Sequence, residues 1–190
     1  MQTYVPTVCE TKLPVFDLPL HPLLSDTPLL CTQAAGGGFT HFAHPSTYYA
    51  IDFRCPVGTP VVSVLPGTVV EVRVCDLHVT GARVTHLFSW NSILIRREED
   101  SPGEEDKRDV YVEYVHIHHE GIRVKVGDRV ERGDVLCLSG DAGFCPEPHL
   151  HLQVHYADSS VVRDCPSVPI TLQGREVVAG KEYSPLSGKL

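Results

Sequence analysis

The clearest periodicity in the chain is His149-Leu150-His151-Leu152-Gln153-Val154-His155-Tyr156, where polar and apolar residues alternate without a break. A strand turns successive side chains to opposite faces, so this run predicts a half-buried strand with His149, His151, Gln153 and His155 on one face. Leu150, Leu152, Val154 and Tyr156 then point into a core. A second alternating run, Val110 to Ile117, predicts a strand that carries His116 on the face of Val110, Val112 and Tyr114. From Pro60 onward, PVVSVLPGTVVEVRV is two valine-rich runs separated by Pro66-Gly67, the pattern of a hairpin. Short, turn-bounded strands are also expected at Ser92 to Arg96, Ile122 to Val126 and Asp134 to Leu138, and Tyr48 to Phe53 is strand-like. No amphipathic helical period competes with them. The expected fold is mainly β, a single domain of twisted antiparallel sheets with long loops.

A chain of 190 residues suits one ordinary domain better than two. Residues 1–30 are rich in proline and leucine without a period, which predicts an extended N-terminal arm with no strand of its own. The domain proper is expected over 31–160. Residues 161–190, with Pro166, Pro169, Gly174, Gly180 and Pro185, read as a short C-terminal strand and a tail packed on the domain. Between Glu98 and Asp109 lies EEDSPGEEDKRD, with seven acidic residues against Lys107 and Arg108, a solvated hairpin loop by composition.

Charge changes the picture of partners. The net charge of −8 repels phosphate backbones and anionic bilayers, so neither nucleic acid nor a membrane surface is an expected partner. No apolar run of about 18 residues exists to span a bilayer. The first residues lack a basic start followed by an apolar stretch, so Sec-type export is not expected and a cytoplasmic location is. Seven cysteines, an odd number without a C-x-x-C pair, fit reduced thiols better than a disulfide framework. A monomer is compatible with all of this.

The candidate chemistry sits on the histidine strand. Residues two apart on a strand lie roughly 6.5–7 Å apart, so one imidazole can ligate a metal while its neighbour meets a bound water. Asp52 lies between apolar residues in Tyr48-Tyr49-Ala50-Ile51-Asp52-Phe53, and a buried carboxylate needs a partner such as a cation. Two histidines stand upstream of it, His41 in GGGFTH and His44 in FAHP. Two imidazoles and a carboxylate, with a fourth position left to water, suit catalytic Zn²⁺, since structural sites fill that position with protein.

Taken in order, FTH, YAIDF, PVGTPVVSVLPGTVV, YVHI, VKVGDRVERGDVLCLSGDAG and PHLHL resemble the M23 metallopeptidases of the lysostaphin and LytM type, from about Gly36 to Tyr156. The resemblance implies a LytM-like fold, a zinc cofactor and a peptide or protein substrate. It implies that Asp52 and His151 ligate zinc, and that His116 and His149 handle protons and stabilise the oxyanion. Tyr48 stands four residues before Asp52, where short-loop members have a histidine, so His41 or His44 supplies the remaining ligand, His41 fitting the glycine-rich lead-in better. Glu147-Pro148 replaces the more usual Gly-Pro before the H-x-H. The resulting function is a zinc-dependent metalloendopeptidase; the alternative is an inactive M23-like module that binds metal or peptide inside the cell. A biotinyl or lipoyl carrier lacks its lysine near Gly140 to Gly143, and no G-x-S-x-G elbow supports a serine hydrolase. His155 is expected at the surface, and Phe88 and Trp90 in the core.

Overall fold

The histidine run forms the longest strand of an eight-stranded antiparallel sheet in the structure, a computed structural model that describes residues 15–16, 19, 28–75, 78–98, 109–157 and 162–184. In chain order the described strands are β1 (Val15–Phe16), β2 (Leu29–Gln33), β3 (Ile51–Arg54), β4 (Pro60–Val62), β5 (Gly67–Arg73), β6 (Ser92–Arg97) and β7 (Asp109–Val115). They continue as β8 (Arg129–Val130), β9 (Val135–Leu138), β10 (His149–Ala157), β11 (Thr171–Leu172), β12 (Arg175–Glu176) and β13 (Glu182–Tyr183). The main sheet runs β13-β2-β3-β10-β7-β6-β5-β8, with β4-β9 and β1-β11-β12 as smaller sheets. Among the described residues the only helical elements are short 3-10 turns, and no helix is long and apolar enough to cross a membrane.

Alternation decides which face of the main sheet is apolar. Leu150, Leu152 and Val154 of β10 join Val112 and Tyr114 of β7, and Ile93 and Ile95 of β6, in one buried cluster. That cluster also takes in Val61, Leu136 and Cys137 from β4 and β9, and Leu172 and Tyr183 from the C-terminal strands. Each such side chain contributes about 1.5–3 kcal/mol by leaving water. Tyr114 is fully buried, and its hydroxyl accepts from the Val64 backbone N–H at 2.9 Å, which satisfies the polar end of an otherwise apolar residue. The opposite face carries the histidines and is capped at one end by a small cluster of Leu94, Ala157 and Val162.

Four expectations about elements are corrected. Pro66-Gly67 is not a hairpin turn, because β4 pairs with β9 while β5 pairs with β6 and β8. The two valine runs therefore enter different sheets, and Gly67 sits where a Cβ would lie 2.4 Å from the Arg96 carbonyl oxygen, an approach only glycine permits. Ile122 to Val126 forms no strand; Ile122 and Val124 pack on the core, while the backbone reaches β9 through Arg123 N–H to Leu136 O. Within 1–30 a two-residue strand does form, β1, held parallel to β11, and β2 begins at Leu29. The alternation of β7 also stops at Val115, short of His116. The acidic loop lies mostly in 99–108, outside the described residues, and is bracketed by the antiparallel pair β6 and β7. Phe88 is 77% exposed rather than in the core, and Trp90 is half-buried with the Arg73 guanidinium 4.0 Å over its ring.

Candidate metal centre

Strand register brings the first two residues of the site together. β3 and β10 are antiparallel neighbours, with Asp52 opposite His151. Both side chains leave the sheet on the histidine face, and His151 Nδ1 lies 2.8 Å from Asp52 Oδ1. The third residue comes from the loop between β2 and β3, where a 3-10 turn at His41–Ala43 buries His41 completely. Gln33, at the end of β2, ties this loop to the carboxylate: its amide nitrogen donates to Asp52 Oδ2 at 2.7 Å and to Thr40 Oγ1 at 3.0 Å, and its oxygen accepts from Thr40 N–H. His41 Nε2 thereby reaches 3.2 Å from Asp52 Oδ1. His44 is exposed and bonded to Ser46, so the structure gathers His41 and leaves His44 out.

Following the protons shows what this cluster can accept. The Ala34 carbonyl 3.1 Å from His41 Nδ1 can only accept, so Nδ1 carries hydrogen and the neutral ring turns the lone pair of Nε2 toward Asp52. That buried Nε2 has no hydrogen-bond partner. On His151, Nε2 faces Gln153 Oε1 at 3.0 Å, an acceptor, so the lone pair of the neutral ring is on Nδ1. Two imidazole lone pairs and a carboxylate oxygen thus converge within 4.8 Å of one another, and this buried His41, Asp52 and His151 set can hold a metal ion. The point favours positive charge. Burial alone would raise the Asp52 pKa, but His151 and then His41 outweigh it and hold the carboxyl well below its ordinary range. Burial likewise opposes a charge on His151, yet Asp52 prevails and raises that pKa.

His149 and His116 flank the cluster. His149 precedes His151 by two on β10, with Nε2 3.7 Å from Asp52 Oδ1 and Nδ1 2.8 Å from the Glu147 carbonyl oxygen. Its ring centroid lies 4.5 Å from that of His116. Contrary to the strand expected for it, His116 follows β7 with φ +62°, a left-handed conformation costly for a non-glycine residue. Its Nδ1 donates to Ala142 O at 2.7 Å, and its carbonyl accepts from Gly140 N–H at 2.8 Å. A Cβ on Gly140 would meet the backbone of 116–118 at under 3 Å, so glycine lets the 139–144 loop close on His116. Burial first, then the His149 and His151 charges, pushes the His116 pKa down to about 3, which keeps this imidazole neutral. Cys145 lies 3.4 Å from His149 Nδ1, its thiol pushed up to about 12 by burial and so protonated.

These groups face a cleft of about 390 Å³, whose walls include Phe39, Thr40, Phe144, Pro146 and Glu147. Glu147 is bridged to Arg54 at the rim. His155 shares the histidine face but is fully buried, contrary to the surface position expected, with Nδ1 at the Cys165 carbonyl. The C-terminal segment covers that end of β10. Gln33, Ala34 and Ala142 carry no chemical signature of their own, and only the loop's folding reveals them as anchors.

The sequence model of Peptidase family M23 matches residues 104–163. Glycyl-glycine endopeptidase ALE-1 of Staphylococcus capitis is 32% identical over 106 residues, which is 56% of this chain and 24% of that protein. Peptidoglycan DD-endopeptidase ShyB of Vibrio cholerae is 31% identical over 117 residues, 58% of this chain and 22% of that protein. The match thus spans about a quarter of each relative's length. Among solved structures, lysostaphin of Staphylococcus simulans aligns with TM-score 0.50 and 24% identity over 74% of this chain and 47% of its own. The catalytic domain of a prophage-encoded M23 protein of Enterococcus faecalis aligns with TM-score 0.50 and 20% identity over 79% of this chain and 94% of its own. These structures share the mostly β fold described above. The family match covers about a third of the chain, and over that segment the chain is similar to peptidase family M23.

Proposed function

We propose that this chain is a zinc-dependent metalloendopeptidase, with His41, Asp52 and His151 as the metal ligands and His149 and His116 as the proton-handling groups. One observation carries the reading: three buried acceptor atoms meet at one point with the protons of both imidazoles committed elsewhere. Nitrogen and carboxylate donors without cysteine suit catalytic rather than structural zinc. When bound there, zinc supplies Lewis acidity, polarising a carbonyl and making water nucleophilic near neutral pH.

The remaining steps belong to the chain's own residues. His149, anchored through Nδ1 on Glu147 O, keeps Nε2 as a base at the open side of the cluster. It takes the proton from the attacking water and returns it to the leaving amine. His116, anchored through Nδ1 on Ala142 O and held neutral, also presents an accepting Nε2. An acceptor orients a water molecule; it does not donate to an oxyanion. Phe39, Phe144 and Pro146 shape a partly apolar trough for a peptide, and Glu147 adds a carboxylate at its rim. The names of the relatives point to peptides with glycine at the cleavage point or to peptidoglycan cross-links as substrates to try first.

The test is zinc content and hydrolysis measured side by side, on a glycine oligopeptide, a mixed peptide panel and purified peptidoglycan. Stoichiometric zinc with peptide cleavage is the expected result. Zinc without cleavage of any substrate would overturn the enzyme reading and leave a binding module. His116→Ala is expected to retain zinc and lose turnover; loss of metal in that variant would make His116 a ligand instead.

A further inference from the structure

Behind His151 a line of polar side chains, buried at Gln153 and Glu113, runs away from the cleft across four strands. His151 Nε2 meets Gln153 Oε1 at 3.0 Å, and Gln153 Nε2 donates to Glu113 Oε2 at 2.8 Å, the two residues being cross-strand partners on β10 and β7. Glu113 is 1% exposed, and its other oxygen accepts from Arg163 Nε at 2.8 Å. Arg163 also donates through Nη2 to Ser92 Oγ on β6 at 3.1 Å and through Nη1 to Glu71 on β5. Among the described residues, no buried polar atom of Gln153, Glu113 or Arg163 is left without a hydrogen-bond partner. A buried carboxylate costs several kcal/mol to desolvate, and the partly buried Arg163 guanidinium offsets that cost at Glu113.

We infer that Gln153, Glu113 and Arg163 are positioning residues that hold the proton of His151 on Nε2 and so present Nδ1 as the ligating atom. The reasoning is one of donor and acceptor direction. An amide can be turned two ways, and His151 would accept a different proton arrangement in each. With the carboxylate of Glu113 at its far end, Gln153 must point its NH₂ there and its carbonyl at His151. His151 must then carry hydrogen on Nε2. If the amide turned over, its oxygen would face a carboxylate, two acceptors in contact, and His151 would carry hydrogen on Nδ1 against Asp52, where no metal could bind. Arg163 keeps Glu113 ionised and fixed, so the ion pair decides which imidazole nitrogen is free.

This inference rests on the ligand role proposed for His151, and its test separates the two. Imidazole ¹⁵N spectra of the metal-free protein at alkaline pH, assigned with His151→Gln, report where the His151 proton sits; chelator competition reports zinc affinity. The wild type is expected to show the Nε2–H form. Gln153→Leu is expected to move hydrogen to Nδ1 in part or whole and to weaken zinc binding by about 10- to 100-fold. Gln153→Glu is expected to restore the wild-type spectrum, because a carboxyl sharing one proton with Glu113 can still accept from His151. A folded Gln153→Leu with unchanged spectrum and zinc affinity would overturn the inference. If that variant does not fold, Glu113→Gln, which keeps the shape and removes the charge, is read the same way, and an unchanged spectrum there overturns it too. A wild type that binds no zinc refutes the ligand reading, while the spectra still decide what holds the proton.

Discussion

At the scale of single residues, Asp52 divides its two oxygens between two tasks. Oδ2 is held by the Gln33 amide, and Oδ1 faces His41 and His151. Without its charge the cluster would no longer need a cation. In Asp52→Asn the pairing that lowers the Asp52 pKa and raises that of His151 is gone, so the variant is expected to lose zinc binding and, as metal-free protein near neutral pH, to be less stable than the wild type, with the difference shrinking as the pH falls and Asp52 of the wild type takes up a proton. Equilibrium dialysis for zinc and urea unfolding in a chelator across pH measure the two halves; a metal-free variant as stable as the wild type at neutral pH would refute the account. His149, His151 and Asp52 were legible in the sequence because strand alternation sorts side chains by face. His41 was separable from His44 only by motif, since a loop has no period; the folded loop places His41 beside Asp52 and leaves His44 exposed. The positions of His116, expected on a strand, and of His155, expected at the surface, were misread for different reasons. The first leaves its strand with a positive φ, and the second is covered by a C-terminal segment far away in sequence.

At the scale of elements, the 3-10 turn Val162–Asp164 is fastened to the main sheet by Arg163, which spans β5, β6 and β7. Burial would raise the Glu113 pKa, but Arg163, followed by Ser92 and Gln153, outweighs it and lowers the value below the ordinary one. A depressed folded pKa means that this stabilisation is present above the unfolded value of about 4.3 and is lost as pH falls through the folded value. Arg163→Leu strands a carboxylate that is 1% exposed, at an expected cost of about 3–5 kcal/mol near neutral pH. The cost should shrink as the solution is acidified toward pH ~4 and Glu113 takes up a proton. Urea melts across that range check it; a penalty independent of pH would mean that Arg163 acts by packing. Element type was readable from alternation, but sheet membership was not. The runs flanking Pro66-Gly67 have the same composition, and only the partners available after folding, β9 for one and β6 for the other, send them into different sheets.

At the scale of the whole molecule, a bound ion would join parts of the chain that are far apart in sequence, since Asp52 and His151 are 99 residues apart and His41 comes from a separate loop. The apolar core from Phe16 to Tyr183 includes none of the three proposed ligands, so removing metal should loosen the protein without unfolding it. An ion that binds only the folded state stabilises by mass action, about 2.7 kcal/mol at a free concentration a hundred times Kd. For a domain of this size each kcal/mol moves Tm by about 2–4 °C, so zinc at that excess should raise Tm by about 5–10 °C, and a chelator should reverse it. Exposed imidazoles beside a carboxylate, such as His78 with Asp141 and His119 with Glu120, are a further place for added zinc to act and to mimic a small shift. The comparison that decides is therefore Asp52→Asn, which keeps those surface groups and removes the buried charge. Scanning calorimetry of wild type and variant, each with zinc and with chelator, should show the rise in the wild type alone; an equal rise in both would place the stabilising ion somewhere other than the cleft.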